Sequence, residues 1–407
     1  MAEIVLALGL LAGIYMAWNI GANDIANGMA SPVAAKAITL RQAVFIGGFL
    51  DFVGAAFIGS HVTSTISSGI LKAELVTDPQ VMSVGLLSAL LASAFWVFVA
   101  TWKQLPVSTT HSIVGAVVGF GIVVGGVSAV KWGKIIPIIL SWLISPVFAG
   151  FLAYMIFVFI RRRILRKPKL FLEALRWTPF FSGATILIVM LSLLTKTPLG
   201  ERLGLNPGAS AAVSILFTVV LGFAAKKWMA KTIRKVEEEG VEEIFRRLQV
   251  FTACYVSLAH GANDVANAIG PVAGIFAIYK MGHIPQSAEV PFFLLAGGGI
   301  FIAIGVFTWG YRVIETIGHK ITILNNTRGF SVDFGTATSV LIASKMGLPV
   351  STTHAAVGAV IGVGLAGGLA AVDFKMVWKI TLYWLITLPL AALPTIVIFK
   401  ILEAIFL

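Results

Sequence analysis

The chain has 407 residues, 58% of them hydrophobic and only 12% charged, with a mean hydropathy of +0.95. This leaves too little polar surface for a soluble globular domain and reads as a polytopic membrane protein. The net charge of +12 does not point to nucleic acid, because the basic residues form short runs between apolar segments and no separate basic domain.

The first apolar segment, residues 3 to about 35, carries Glu3 and no basic start, so no cleavable signal peptide is expected. It contains Gly21-Ala-Asn-Asp-Ile-Ala-Asn27, and Gly21, Gly28 and Pro32 suggest a broken or bent helix with backbone groups freed for an ion. An aspartate in hydrocarbon costs about 2.5–3.5 kcal/mol and needs a reason. On a helix Asn23, Asp24 and Asn27 share one face, and their oxygens, with no soft ligand nearby, suit a hard monovalent cation such as Na⁺.

Apolar runs follow at about 43 to 60 and 81 to 102. The first holds Asp51, which is either a further coupling acid or the partner of a first-half hydroxyl or basic group. The polar stretch between the runs reads as solvated loop at a membrane edge, with Thr65 as its one coupling candidate. Next comes Pro106-Val-Ser-Thr-Thr-His111. Ser108 is a good N-cap, Thr109 and Thr110 then take the first helical positions, and free N–H groups beside three hydroxyls make an anion site without lysine or arginine. His111 either shares a proton with the anion or bonds to a neighbouring helix. A run from about 135 to 160 ends at Arg161-Arg-Arg163.

Residues 161–249 differ in character. Basic stretches at Arg161 to Arg176 and Lys226 to Arg247 bracket two plain apolar runs, which places both stretches in the cytoplasm and makes the runs an out-and-back pair. Glu237 to Glu243 adds mixed charge of the kind found on a solvated helix. The single cysteine, Cys254, excludes an intrachain disulfide and reads as a small buried residue.

From residue 250 the chain repeats itself. Gly261 to Asn267 restates Gly21 to Asn27, Pro349-Val-Ser-Thr-Thr-His354 matches Pro106 to His111 identically, and Trp384 echoes Trp142, at offsets of 240, 243 and 242 residues. Asn263, Asp264 and Asn267 form a second cation cluster, and Ser351, Thr352, Thr353 and His354 a second anion cluster. An odd number of crossings before Arg161 and an even central pair invert the second copy. Lys36, Arg41 and Lys103, and later Arg312, Lys320, Arg328, Lys375 and Lys379, then all fall inside. Two helix starts would thus approach one tetrahedral oxyanion from opposite sides. Asp333, Thr336 and Thr338 suggest a further cation site.

The expected architecture is all-α, with about 12 transmembrane helices. Residues 1–160 and 250–407 form two inverted repeats with broken or re-entrant helices, and residues 161–249 a central pair. Both termini lie outside a plasma (inner) membrane.

The twin Gly-Ala-Asn-Asp-Ile/Val-Ala-Asn and Pro-Val-Ser-Thr-Thr-His segments resemble the signatures of the PiT inorganic phosphate transporters, the type III sodium-phosphate cotransporters. The resemblance covers nearly the whole chain. It implies a secondary transporter carrying phosphate with Na⁺, or with H⁺ in some members, by alternating access. It places Asp24 and Asp264 in cation coupling and both Ser-Thr-Thr triplets at phosphate. The expected partners are phosphate, sodium and the lipid bilayer, with no cofactor beyond the co-transported ion and no nucleic acid; a homo-oligomer stays open. Proton-coupled phosphate or sulfate transport is the alternative, ahead of an anion channel. A membrane-embedded hydrolase is disfavoured, because each Ser–His pair is only three residues apart, occurs twice and lacks a nucleophile elbow, so no enzyme activity is expected.

Overall fold

The computed structural model describes the chain except residues 73, 106, 196–199, 201–202, 235–236, 286–289, 318–323 and 369–371, so Pro106 and Lys320 lie outside the described residues. The regular structure of the described residues is helical, with a lone β-bridge between Leu71 and Val130. The first repeat comprises α1 (Ala2–Ala34), α2 (Leu40–Ile58), α3 (Ser60–Ser68), α4 (Pro79–Trp102), α5 (Thr109–Gly125) and α6 (Trp132–Ile160). Two central helices follow, α7 (Leu170–Leu194) and α8 (Pro207–Thr232). The second repeat runs through α9 (Glu237–Met281), α10 (Phe292–Trp309), α11 (Tyr311–Ile317), α12 (Asn326–Lys345), α13 (Thr352–Gly367) and α14 (Phe374–Phe406).

Among the described residues, eight helices are long and apolar enough to cross a membrane. The protein is therefore an integral membrane protein, although length and hydropathy alone do not reach the expected twelve spans. Helices α5 and α13 are short, at 17 and 16 residues, and each follows a break in the chain at the Ser-Thr-Thr motif. α9 reaches 45 residues by fusing the acidic stretch to the second Asn-Asp motif.

Helix α1 does not break. It runs unbroken through Gly21 and Gly28 because these glycines serve close packing. A Cβ on Gly21 would strike the backbone carbonyl of Ile302 on α10, and one on Gly261 the carbonyl of Asp51 on α2. Gly54 likewise abuts Leu258 and Ala262, as Gly305 abuts Trp18 and Ala22. These matched approaches fix the correspondence between repeats: Asp51 answers to Ile302, and His260, one residue before Gly261, answers to Ile20.

The repeats exchange helices. α1 packs on α10 and α9 on α2; α5 lies against α14, and α13 against α6. Each bundle therefore mixes both sequence halves, and the two Ser-Thr-Thr helix starts are brought together. α7 and α8 form a peripheral pair in which α8 buries only Ser210, Ser214, Gly222 and Met229.

Two sequence expectations change. The polar stretch near Thr65 is helix α3, not solvated loop: Thr63 is buried, and Thr65 Oγ1 donates to the Gly347 carbonyl at 2.8 Å. The acidic start of α9 is helical as expected but is tied down. Glu242 accepts from Asn325 Nδ2 (3.0 Å), Asn326 N (2.9 Å) and Thr327 Oγ1 (3.2 Å), satisfying the start of α12, and Arg246 donates to the Ala37 carbonyl beyond α1 at 3.2 Å.

Candidate ion-binding site

α1 and α9 lie side by side and bury both Asn-Asp faces, leaving Asp24 1% and Asp264 0% exposed. Ser108 and Ser351 cap α5 and α13 by accepting from the amides of His111 and His354, both at 3.2 Å. This leaves the amides at the first two positions of each helix without an intrahelical acceptor.

The hydrogen bonds follow the two-fold relation between repeats. Thr109 Oγ1 donates to Asp24 Oδ2 at 2.6 Å, and Thr352 Oγ1 to Asp264 Oδ2 at 2.9 Å. Asn267 Nδ2 donates to the hydroxyls of Thr109 (3.2 Å) and Thr110 (3.1 Å); Asn27 does the same to Thr352 (3.1 Å) and Thr353 (3.0 Å). Each cluster of acid, threonine and amide thus draws on both repeats. Thr110 and Thr353 donate across to the carbonyls of Val350 (3.0 Å) and Val107 (3.3 Å), stitching the two broken segments together. Asn23 donates to Thr101 Oγ1 (2.9 Å) and the Leu105 carbonyl (3.2 Å), and Asn263 to Ser344 Oγ (3.0 Å) and the Leu348 carbonyl (3.3 Å).

This wiring uses up amide and hydroxyl donors and leaves oxygens over. Oδ1 of Asn23, Asp24, Asn263, Asp264 and Asn267 is buried and accepts no hydrogen bond. Buried acceptors are ordinarily satisfied, so a cluster of five around two carboxylates fits cation ligation. No helix break at Gly21 is needed to supply ligands.

The other candidates take more varied places. His111 and His354 meet near the two-fold axis with ring centroids 4.5 Å apart. Their Nδ1 atoms lie 3.3 Å from the carbonyls of Trp384 and Trp142, and each Nε2 is buried without a partner. Asp51 pairs with neither a first-half hydroxyl nor a first-half basic group; its Oδ1 lies 3.1 Å from Nδ1 of His260, in the other repeat. Nε2 of His260 in turn lies 3.0 Å from Asp264 Oδ2. Asp24, His260 and Asp264 offer ligand atoms within 4.8 Å of one another. Asp333 lies beside Ser31 and Gln249, with its Oδ2 buried and accepting no hydrogen bond, and Gln249 donates to Ser31 at 3.0 Å. Thr336 back-bonds to its own helix and Thr338 faces Tyr255, so the three residues do not form one cluster. Thr65 belongs to the α3 contact already described.

His260, Thr101, Ser344, Ser31 and Gln249 are the functional-site neighbours that sequence reading missed. His260 alone had a signal, four residues before Asp264 on the same helical face.

Intertwined inverted repeats that bury acids and amides beside paired helix breaks define a membrane transporter. The chain belongs to the phosphate transporter family, whose model matches residues 20–395. It is similar to a Thermococcus kodakarensis protein carrying the name phosphate permease, at 46% identity over 404 residues, 98% of this chain and 97% of that one. A chloroplastic inorganic phosphate transporter of Arabidopsis thaliana is 42% identical over 408 residues, covering 94% of this chain and 70% of the relative. A solved sodium-dependent phosphate transporter shares 42% identity and a TM-score of 0.94, covering 99% of this chain and 100% of that one.

Proposed function

We propose that the protein imports inorganic phosphate coupled to Na⁺ by alternating access. The observation that carries this reading is the set of five buried, unsatisfied Oδ1 atoms around Asp24 and Asp264. Asn23, Asp24 and Asn27 contribute to one Na⁺ seat, and Asn263, Asp264 and Asn267 to the other. Because Asn27 and Asn267 cross to the opposite threonines, filling either seat acts on both helix starts.

Phosphate then rests between the starts of α5 and α13, on their free amides and on the hydroxyls of Ser108, Thr109, Thr110, Ser351, Thr352 and Thr353. The threonine hydroxyls are committed to neighbours in this arrangement, so anion binding must re-aim some of them. Two carboxylates beside an anion path repel the anion; two Na⁺ ions cancel that charge, which makes ion binding a precondition for phosphate. A protonated phosphate oxygen donates to a carboxylate or threonine oxygen, a bond sulfate cannot make, and this favours phosphate over sulfate.

The test is uptake of labelled phosphate by proteoliposomes holding the purified protein. An inward Na⁺ gradient should drive accumulation. Equal uptake with K⁺ in place of Na⁺ refutes sodium coupling, and accumulation on a pH gradient alone assigns the coupling to protons.

A further inference from the structure

The duplication predicts two equivalent cation seats, yet the side chains around them differ at one place. Asp264 has His260 against Oδ2 at 3.0 Å, and His260 has Asp51 against its other nitrogen at 3.1 Å. Asp51 is 0% and His260 3% exposed, and neither contact is aligned as a straight hydrogen bond. Around Asp24 the corresponding positions hold Ile302 and Ile20, both fully buried and apolar. The matched glycine approaches leave no freedom in this correspondence, since Gly261 sits on the Asp51 backbone as Gly21 sits on that of Ile302. A buried carboxylate without a function is expensive, and here one repeat retains an acid and an imidazole where the other has two isoleucines.

We propose that Asp51 and His260 are a positioning pair that acts through Asp264 and makes the second Na⁺ seat unlike the first. This inference rests on the assignment of Na⁺ to Asp24 and Asp264. The imidazole sets one ring nitrogen against each of two acceptor-only carboxylates. At Asp264 it lies against the Oδ2 that also accepts from Thr352, so a cation arriving there must compete for that oxygen; among the described residues the hydrogen bond to Oδ2 of Asp24 comes from Thr109. Asp51 draws the ring from the other side and limits how strongly it competes. The Asp24 seat is then the tighter one, and the Asp264 seat fills last and empties first. Because Asp51 stands on α2 and His260 on α9, occupancy of that seat also bears on the contact between these two helices.

A purely structural pair and a positioning pair respond differently to substitution. Asp51→Asn leaves His260 against Asp264 with no opposing carboxylate charge, so half-saturating Na⁺ should rise about tenfold. His260→Gln removes the group that offsets two carboxylates, so half-saturating Na⁺ should fall several-fold, with slower turnover as ion release slows. The phosphate half-saturation at saturating Na⁺ should move less than about twofold in both. A reciprocal variant, Ile20→His with Ile302→Asp, keeps the native pair and installs a copy beside Asp24; its two Na⁺ affinities should converge.

The experiment is Na⁺ titration of thermal stability for the purified full-length protein in detergent, which reports on variants that no longer transport, followed by Na⁺-dependent uptake. Shifts of opposite sign for the two single variants support the pair's role. Shifts of the same sign, or no convergence in the reciprocal variant, overturn this inference alone. A wild-type protein that does not respond to Na⁺ overturns both this inference and the sodium assignment beneath it.

Discussion

Replacing Asp24 by asparagine tests the electrostatics of the site with little steric change. The carboxylate oxygens of Asp24 and Asp264 lie within 4.8 Å of each other. At an effective dielectric constant of about 20, two unit charges at that distance repel by about 3.5 kcal/mol. Asp24→Asn removes this repulsion while its side-chain oxygen can still accept from Thr109. In Na⁺-free buffer the variant should therefore melt higher than the wild type. The same substitution removes an attraction of similar size for a cation at the remaining seat, so Na⁺ affinity there should drop by up to about two and a half orders of magnitude. The assay is the melting temperature of detergent-purified protein across a Na⁺ titration at constant ionic strength, with K⁺ as the balancing ion. The expected pattern is a crossing: the variant more stable without Na⁺, the wild type more stable with it. A variant less stable at every Na⁺ concentration would show that the two carboxylates are held apart electrically and that the central premise is wrong.

Other consequences are open to direct measurement. Thr109→Ala and Thr352→Ala each remove a hydroxyl that donates to a carboxylate, a bond class worth about 1.5–3 kcal/mol, so each should lower the melting temperature in Na⁺-free buffer and, by freeing Oδ2 for the cation, lower half-saturating Na⁺ in uptake assays. Gly21→Ala and Gly261→Ala force a methyl group into the backbone of α10 and α2 and should cost several kcal/mol or prevent folding, read as loss of the monodisperse peak in size-exclusion chromatography. Ala262→Gly, which adds no atom, should not do so. Glu242→Gln weakens the charge-assisted cap on α12 and should lower the melting temperature modestly, with half-saturating Na⁺ unchanged. Hydrogen bonds from Arg246, then from Arg247, hold the partly exposed Glu243 carboxyl below its ordinary range. Its contribution is therefore fully present above the ordinary carboxyl range and is lost only as pH falls through the lowered value; Glu243→Gln should narrow the wild-type advantage in acid and leave its pH dependence above neutrality unchanged, as followed by melting temperature.

Much of the site was legible because the sequence says it twice. Two acid-amide faces and two capped hydroxyl triplets at near-constant offset identify both elements and their relation, and the capping by Ser108 and Ser351 follows from residue type alone. What was not legible depends on which helices meet. Asn27 reaching Thr352, and Asn267 reaching Thr109, require the exchange of α5 and α13 between bundles, and no local periodicity encodes that. Gly21 looked like a helix breaker because a glycine in an apolar run permits either a bend or a close neighbour; the backbone of α10 decides for the second. The duplication also concealed as well as revealed. Asp51 stands out in sequence as an acid in an apolar run, but its partner His260 answers to an ordinary isoleucine and carries no repeated letter to mark it. The α3 stretch near Thr65 has the polarity of a loop, whereas its hydroxyls bond back to helix carbonyls and to Gly347.

Simultaneous flux of ²²Na⁺ and ³²P-phosphate in proteoliposomes, compared between the wild type and the Asp24→Asn, Asp264→Asn double variant, tests the central claim most directly. The account predicts that the wild type moves both labels in a fixed ratio, each requiring the other, and that the double variant loses both the ²²Na⁺ flux and the Na⁺ dependence of phosphate movement. Phosphate entry by the wild type without accompanying ²²Na⁺, or a double variant with unaltered coupled flux, would contradict it.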